Sequence, residues 1–167
     1  MKNKLVLDAT CGSRMIWFNK ENECALFVDK RELDNEKIWT SSDGNRSRFI
    51  DIHPDVIADF TDLPFEDETF YHVVFDPPHL IQVGDEAWMC KKYGKLTDDW
   101  RETLRKGFAE CMRVLKPYGT LIFKWNEQQI SVKEIIKAIG CEPLYGCRSG
   151  KQSLTHWMAF VKEGGIE

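Results

Sequence analysis

Asp76, Pro77, Pro78 and His79 stand together directly after an apolar run, Phe70 to Phe75. The run is short and rich in β-branched and aromatic residues, which predicts a buried strand. Neither proline can donate to a sheet ladder, so the strand must end at Asp76. That places a carboxylate, two stiff carbonyls and an imidazole at the carboxyl end of a strand, where open α/β sheets bind ligands. An anionic acceptor, a rigid carbonyl and a flat ring suit a planar ligand that carries an NH2 group. The same string also fits a Pro-Pro turn closing an ordinary core strand.

Two further acids are placed in the same way. Lys4 to Ala9 predicts a short strand, followed by the small-residue turn Thr10-Cys11-Gly12-Ser13. Small side chains let backbone amides approach a ligand closely. Cys24 to Val28 predicts the next strand, ending in Asp29. An acid about 20 residues beyond such a turn is placed to accept hydrogen bonds from ribose hydroxyls. Val56-Ile57-Ala58 predicts a third strand ending in Asp59, and an acidic loop from Phe60 to Thr69 leads into the Asp76 strand.

The elements that must hold these groups follow from periodicity. Arg14 to Asn19 predicts the start of a helix, completing half of a βαβ unit. Glu32 to Trp39 predicts a short helix, then a polar turn at 40–45 and a return toward the sheet over Arg46 to Ile52. Leu80 to Leu96 reads as a long loop; the segments 40–54 and 80–97 are expected to be mobile. Thr97 is placed to cap a helix with Asp98 and Asp99 in its first turn. Trp100, Leu104, Phe108, Cys111 and Leu115 recur on one face of that helix, as a core stripe does. Lys116 to Gly119 predicts a turn before a strand from Thr120 that ends at Lys124-Trp125-Asn126. Ser131 and Glu134 form a capping box for a helix that stops at Gly140. Segments around Leu144 to Gly146 and from Thr155 to Val161 predict an antiparallel pair. The fold class is therefore α/β, a Rossmann-like doubly wound, mostly parallel sheet with a C-terminal antiparallel hairpin.

The chain has 167 residues, 43% hydrophobic and 30% charged, with a net charge of −4. That size and balance predict one compact soluble domain over 1–167, without a separate target-recognition domain. No stretch approaches the apolar length of a membrane span, and the start is too short for a signal peptide, so a cytoplasmic protein is expected. The six cysteines show no C-x-x-C spacing. Most are expected to be core thiols, rather than to form disulfides or a zinc site. An acidic chain is not a general polyanion binder, although local basic clusters occur at Arg46 to Arg48, Lys91 to Lys95 and Arg148 to Lys151.

Taken in order, Asp8 to Ser13, Asp29, Asp59 with Leu63-Pro64-Phe65, Asp76-Pro77-Pro78-His79 and Arg113 to Thr120 resemble the motif series of the class I S-adenosylmethionine-dependent methyltransferases. The Asp76 string is similar to the Asp/Asn-Pro-Pro-aromatic motif of amino-directed methylases of nucleic-acid bases, and among these to small methylases of phages and bacteria. The chain departs from that pattern in having a single glycine in the first loop and His79 as the ring after Pro-Pro. The resemblance implies S-adenosyl-L-methionine as cofactor. Asp8, Ala9, Thr10, Cys11 and Gly12 would wrap its methionine part and Asp29 its ribose, with Lys30, Asp59 and Phe60 around the adenine. It implies Asp76, Pro77, Pro78 and His79 as the catalytic set, acting on an exocyclic amine, with adenine in DNA the first substrate and RNA the second. Trp125 is a candidate second stacking face or a core residue. Lys91, Lys92, Lys95, Arg46 and Arg48 are candidate phosphate contacts. A protein glutamine or a small molecule are alternative acceptors. A nicotinamide oxidoreductase fits less well, because Gly12 lacks the G-x-G-x-x-G pattern. A module that binds without turnover is the remaining alternative.

Overall fold

The computed structural model describes residues 4–150 and 152–164. Its main sheet has seven strands in the order β5-β2-β1-β6-β7-β9-β8. These are β1 (Val6–Asp8), β2 (Ala25–Asp29), β5 (Val56–Ile57), β6 (Phe70–Phe75), β7 (Leu115–Asn126), β8 (Tyr145–Arg148) and β9 (Thr155–Val161). The pairs from β5 through β7 are parallel, whereas β9 is antiparallel to both β7 and β8. The α/β class, the mostly parallel sheet and the closing antiparallel pair are thus as the sequence predicts. The switch point lies at β1 and β6: β1 runs on to β2 on one side, and β6 to β7 on the other. Asp8 and Asp76 leave the sheet side by side there, because Val74, two residues before Asp76, is in register with Asp8.

Burial follows strand alternation. Leu7, Val28, Val73, Phe75, Leu121 and Phe123 share the main core with the apolar faces of α2 (Trp100–Val114) and α3 (Val132–Ile139). On the opposite face Val6, Ala25 and Phe27 pack with Cys11 and Trp17. Among the described residues no helix covers that face near β1. The helix expected from Arg14 is replaced by successive turns over residues 9–24, because Arg14 sits at φ 54° and its guanidinium is committed elsewhere. It donates to the Lys20 and His53 carbonyls, both at 2.6 Å, and lies 3.9 Å over the Phe27 ring.

A second correction concerns residues 32–54. Instead of a short helix and a loop, Leu33–Thr40 (β3) and Ser47–Ile52 (β4) form a separate antiparallel hairpin around its own small core of Ile38, Ile50 and Ile52. Asn35 at φ 49° and two register shifts bulge β3, so its apolar residues lose strict alternation. In the segment 80–97, Trp88–Tyr93 forms a short helix, α1. Trp88 packs against the hairpin core, and the Leu96 amide donates to the Leu80 carbonyl at 2.8 Å, closing the loop's ends.

Smaller departures have local causes. The cap of α2 is Asp99 rather than Thr97, so Asp98 and Asp99 precede the helix instead of filling its first turn. The expected turn at Lys116 to Gly119 is an irregularity inside one continuous strand, with Tyr118 at φ 63°. Leu115 belongs to that strand, and Val114 is the last buried position of the α2 stripe. The capping box of Ser131 and Glu134 and the left-handed Gly140 cap both form. Only Cys11 and Cys111 are buried thiols; Cys24 and Cys147 are exposed, with Cys90 and Cys141 between. Among the described residues no helix is long and apolar enough to cross a membrane.

Candidate active site

The two strand ends that frame the cleft are tied together directly. The Asp76 amide donates to the Thr10 hydroxyl at 2.8 Å, fixing the Pro-Pro turn against the small-residue bend after β1. One cleft of about 220 Å³ is lined by Asp8, Gly12, Asp76, His79, Tyr93 and Lys124, among others. It continues past Thr10 and Arg31 into a narrow space of about 40 Å³ beside Asp29, Lys30, Phe60 and Pro78. The bend and the Asp76 turn therefore face the same cavity.

Three carboxylates meet at its base. Asp8 is 1% exposed, accepts from the Trp17 indole at 2.6 Å and from the Thr10 amide at 3.2 Å. Burial pushes its carboxyl up to about 7, the two hydrogen bonds pull it back, and the nearby charges of Asp76 and Asp29 add to the rise. Asp29 accepts from the Gly12 amide at 3.0 Å, and from Arg31 through its amide at 2.9 Å, Nε at 3.1 Å and Nη2 at 3.3 Å. Gly12 takes φ 48°, a conformation that costs glycine little, and this aims its amide at Asp29. Cys11 lies near these acids with its thiol raised, first by burial and then by Asp8, which disfavours the reactive thiolate.

Asp76 pairs with Lys124, whose Nζ lies 2.5 Å from its Oδ2. Burial raises the Asp76 carboxyl, and the ammonium opposes that rise. His79 is held below the usual histidine range, first by burial and then by Lys124, so the ring is neutral at pH 7. Its ring centroid lies 5.8 Å from that of Tyr93 and 6.3 Å from that of Trp125. Trp125 offers no free stacking face: it is 1% exposed, and its indole donates to the Ile130 carbonyl at 2.9 Å. It backs His79 from the core.

Asp59 turns one oxygen to the amide and hydroxyl of Thr61, at 3.0 and 2.8 Å, and has Lys30 Nζ 3.8 Å from the other. Phe60 is buried edge-on to Phe75 at 5.3 Å and lines the narrow end of the cleft.

The basic residues divide. Lys91 and Lys95 are engaged by Glu86 and Asp85, each at 2.9 Å, and Arg46 is exposed at the hairpin turn, off the cleft. Lys92 lines the cleft, and Arg48 lies beyond it on the hairpin. Sequence reasoning assigned no site role to Arg31, Lys124, Trp17 or Tyr93. The signals that could have found two of them are the positions of Arg31, two residues past the carboxyl end of β2, and of Lys124, two residues inside that of β7.

No family model matches the chain, and neither does any curated protein. Solved structures do. The PH0226 protein of Pyrococcus horikoshii matches at 17% identity and TM-score 0.55, over 97% of this chain and 83% of its own. An S-adenosylmethionine-dependent methyltransferase from Leishmania major matches at 13% identity and TM-score 0.54, over 97% and 67%. A chain of the Haloferax volcanii complex that contains the Trm112 methyltransferase activator matches at 16% and 0.53, over 99% and 84%. At these identities the likeness is one of fold: the chain has the Rossmann-like architecture that the Leishmania major methyltransferase also has.

Proposed function

We propose that the protein is an S-adenosylmethionine-dependent methyltransferase acting on an exocyclic amino group, with adenine in a nucleic acid as the substrate. The observation that supports this most is the Asp76–Thr10 hydrogen bond, which puts the amine-accepting carboxylate and the cofactor-type bend in one cleft. The donor set fits such a cofactor. A sulfonium and an ammonium call for negative charge, and Asp8 and Asp29 supply it at the cleft base, whereas Asp76 is paired with Lys124. Repulsion from the neighbouring acids adds to the burial-driven rise of the Asp8 carboxyl, and a bound cation would relieve it. Asp8, Thr10 and Gly12 would hold the methionine part, Asp29 the ribose, and Lys30, Asp59 and Phe60 the adenine. Fold likeness to a methyltransferase supports the same reading.

When bound, the cofactor supplies an electrophilic methyl group. The chain's task is then to position and activate an amine. Asp76 and the Pro77 carbonyl accept from the NH2 group, favouring a localised lone pair as the nitrogen becomes tetrahedral. Those hydrogen bonds strengthen as positive charge grows on nitrogen, which is the condition for speeding the step. Lys124 holds Asp76 in place and favours its ionised form against the effect of burial. His79, neutral and backed by Trp125 and Tyr93, presents a ring for stacking on the base. Incubation with methyl-labelled cofactor and oligonucleotides tests this. Label in adenine N6 is expected; label confined to protein or small molecules would overturn the assignment.

A further inference from the structure

Beyond the cleft, a second cavity of about 570 Å³ opens between the β1–β2 connection, the β3–β4 hairpin and α1. It is continuous with the cleft, since Gly12, Ser13, Met15 and Lys92 line both. Its walls are of two kinds. Trp88 and Phe49 give it aromatic surface, with Ile38 and Ile50 beneath. Arg48 Cζ lies 5.4 Å from the Trp39 ring centroid and 5.5 Å from that of Trp88, so the guanidinium is held between two indoles.

The charges around this groove are not balanced. Its acids are already engaged: Glu21 lies 3.7 Å from Arg14, and Asp51 accepts from the Asn35 amide at 2.8 Å and lies 3.9 Å from His53. Arg14 is likewise consumed, by the contacts that fix its loop. Arg48, Lys92 and Lys20 line the groove with no carboxylate within ion-pair distance among the described residues. In a chain of net charge −4, unpaired cations beside indole surface mark a place for something anionic and flat.

We infer that this groove binds the nucleotide next to the target in a single-stranded nucleic acid, its base against Trp88 and its phosphate between Lys92 and Arg48. The inference rests on the amine-methylating reading of the cleft and names the form of substrate it takes. A base at Asp76 and a neighbour in the groove are joined past Lys92, the cation common to both spaces. A base enclosed by the hairpin has its pairing edge against protein, so the strand is unpaired there. DNA and RNA share this chemistry.

The test measures fluorescence anisotropy of labelled eight-residue oligonucleotides that contain adenine, as single-stranded DNA, single-stranded RNA and duplex DNA. Calorimetry measures binding of S-adenosylhomocysteine to the same proteins. Single strands are expected to bind more tightly than the duplex. Trp88→Ala and Arg48→Glu should each weaken single-strand binding at least about tenfold, with affinity for S-adenosylhomocysteine unchanged. Arg48→Lys should recover most of the loss. Equal binding of duplex and single strand, or unaltered single-strand affinity in both variants, would overturn the inference. Cofactor binding without any oligonucleotide binding would overturn it while leaving the cleft reading intact. Oligonucleotide binding that depends on Arg48 and Trp88 without cofactor binding would support the groove and sink the methyltransferase reading. Because Trp88 also packs on the hairpin core, wild-type protein is cross-linked in parallel to a strand carrying a photoreactive base beside the adenine. Adducts on Trp88 or Phe49 support the groove; adducts confined to other surfaces overturn it.

Discussion

Lys124 and Asp76 reach each other from adjacent parallel strands, with Nζ 2.5 Å from Oδ2 and both side chains about a quarter exposed. Phe75 is in register with Phe123, so the acid and the base are the next residues out on β6 and β7. This pairing sets two effects against each other at the site. Burial raises the Asp76 carboxyl and is the larger effect, while the charge and hydrogen bond of the ammonium act toward the carboxylate, the form that the proposed amine contact needs.

Asp76→Ala should lower methyl transfer by about 10²–10³-fold or more, with cofactor affinity largely kept, since the bend after β1 is untouched. Lys124→Met should act differently. Without the ammonium the Asp76 carboxyl rises further, and activity requires its ionised form. The acid limb of the kcat profile should therefore move to higher pH, with part of the activity recovered in alkaline buffer. A uniformly lowered profile with an unmoved limb would show that Lys124 does not control Asp76 ionisation.

The cofactor-binding role proposed for Asp8 makes that binding depend on pH near neutrality. Its carboxyl is raised to about 7, and a bound cation favours the ionised form. Affinity for S-adenosylmethionine should rise across about pH 6 to 8 and level off above. Trp17→Phe removes a hydrogen bond that lowers Asp8, so the rise should shift to higher pH; Asp8→Asn should flatten it. Stability of the unliganded protein runs the opposite way. Because the folded carboxyl is the weaker acid, the folded state keeps a proton that the unfolded chain has released. Asp8 thus costs stability increasingly from its ordinary value of 3.8 up to about 7. Asp8→Asn should raise the melting temperature at alkaline pH and change it little in acid.

Much of this arrangement is written locally. The Phe70–Phe75 strand, its Pro-Pro stop and the box of Ser131 and Glu134 depend on residues within a few positions, and each forms where sequence reasoning puts it. Strand-end acids are legible for the same reason. The misread segments are those whose partners are distant. Arg14 is held by His53, 39 residues on, so nothing near it announces that the helix will not form. Glu32 to Trp39 contains good helix formers and no clean alternation, because the bulges that fit it to Ser47–Ile52 displace its apolar residues. Trp125 reads as a strand-end ring, yet Ile130 and the core claim it. Arg31 and Lys124 carry no motif; only the convergence of β2, α1, β6 and β7 gives them partners.

Arg31 competes for the Asp29 carboxylate, the group proposed to take the ribose. Asp29 offers about four lone-pair sites, and the Gly12 amide with three Arg31 groups uses them all. Arg31 also donates to the Lys91 carbonyl at 3.1 Å, holding α1 across the narrow end of the cleft. Arg31→Ala should free the carboxylate and remove a cation facing a cationic ligand. Cofactor affinity measured by calorimetry should increase about three- to tenfold, and backbone amides of α1 should exchange faster. Weaker binding in this variant would mean that Arg31 itself holds the ligand.

Gly107 sets how far Phe60 can withdraw from the cleft. It is a buried position on α2, and a Cβ there would stand 2.6 Å from Phe60 Cε2 and 3.1 Å from Phe75 Cζ. Neither ring can yield easily: Phe75 is fully buried in the sheet core, and Phe60 is packed edge-on against it. The direction left open to Phe60 is outward, toward the space it shares with Asp29 and Pro78. Gly107→Ala adds helix propensity worth about 1 kcal/mol, set against overpacking of about 1–3 kcal/mol. The net effect on the melting temperature should be a modest decrease. Cofactor affinity should fall much more than stability does, because the displaced ring narrows the end of the cleft proposed for the adenine. Gly107→Ala combined with Phe60→Leu should restore binding by removing the clash. Unchanged affinity in the single variant would place the adenine away from Phe60.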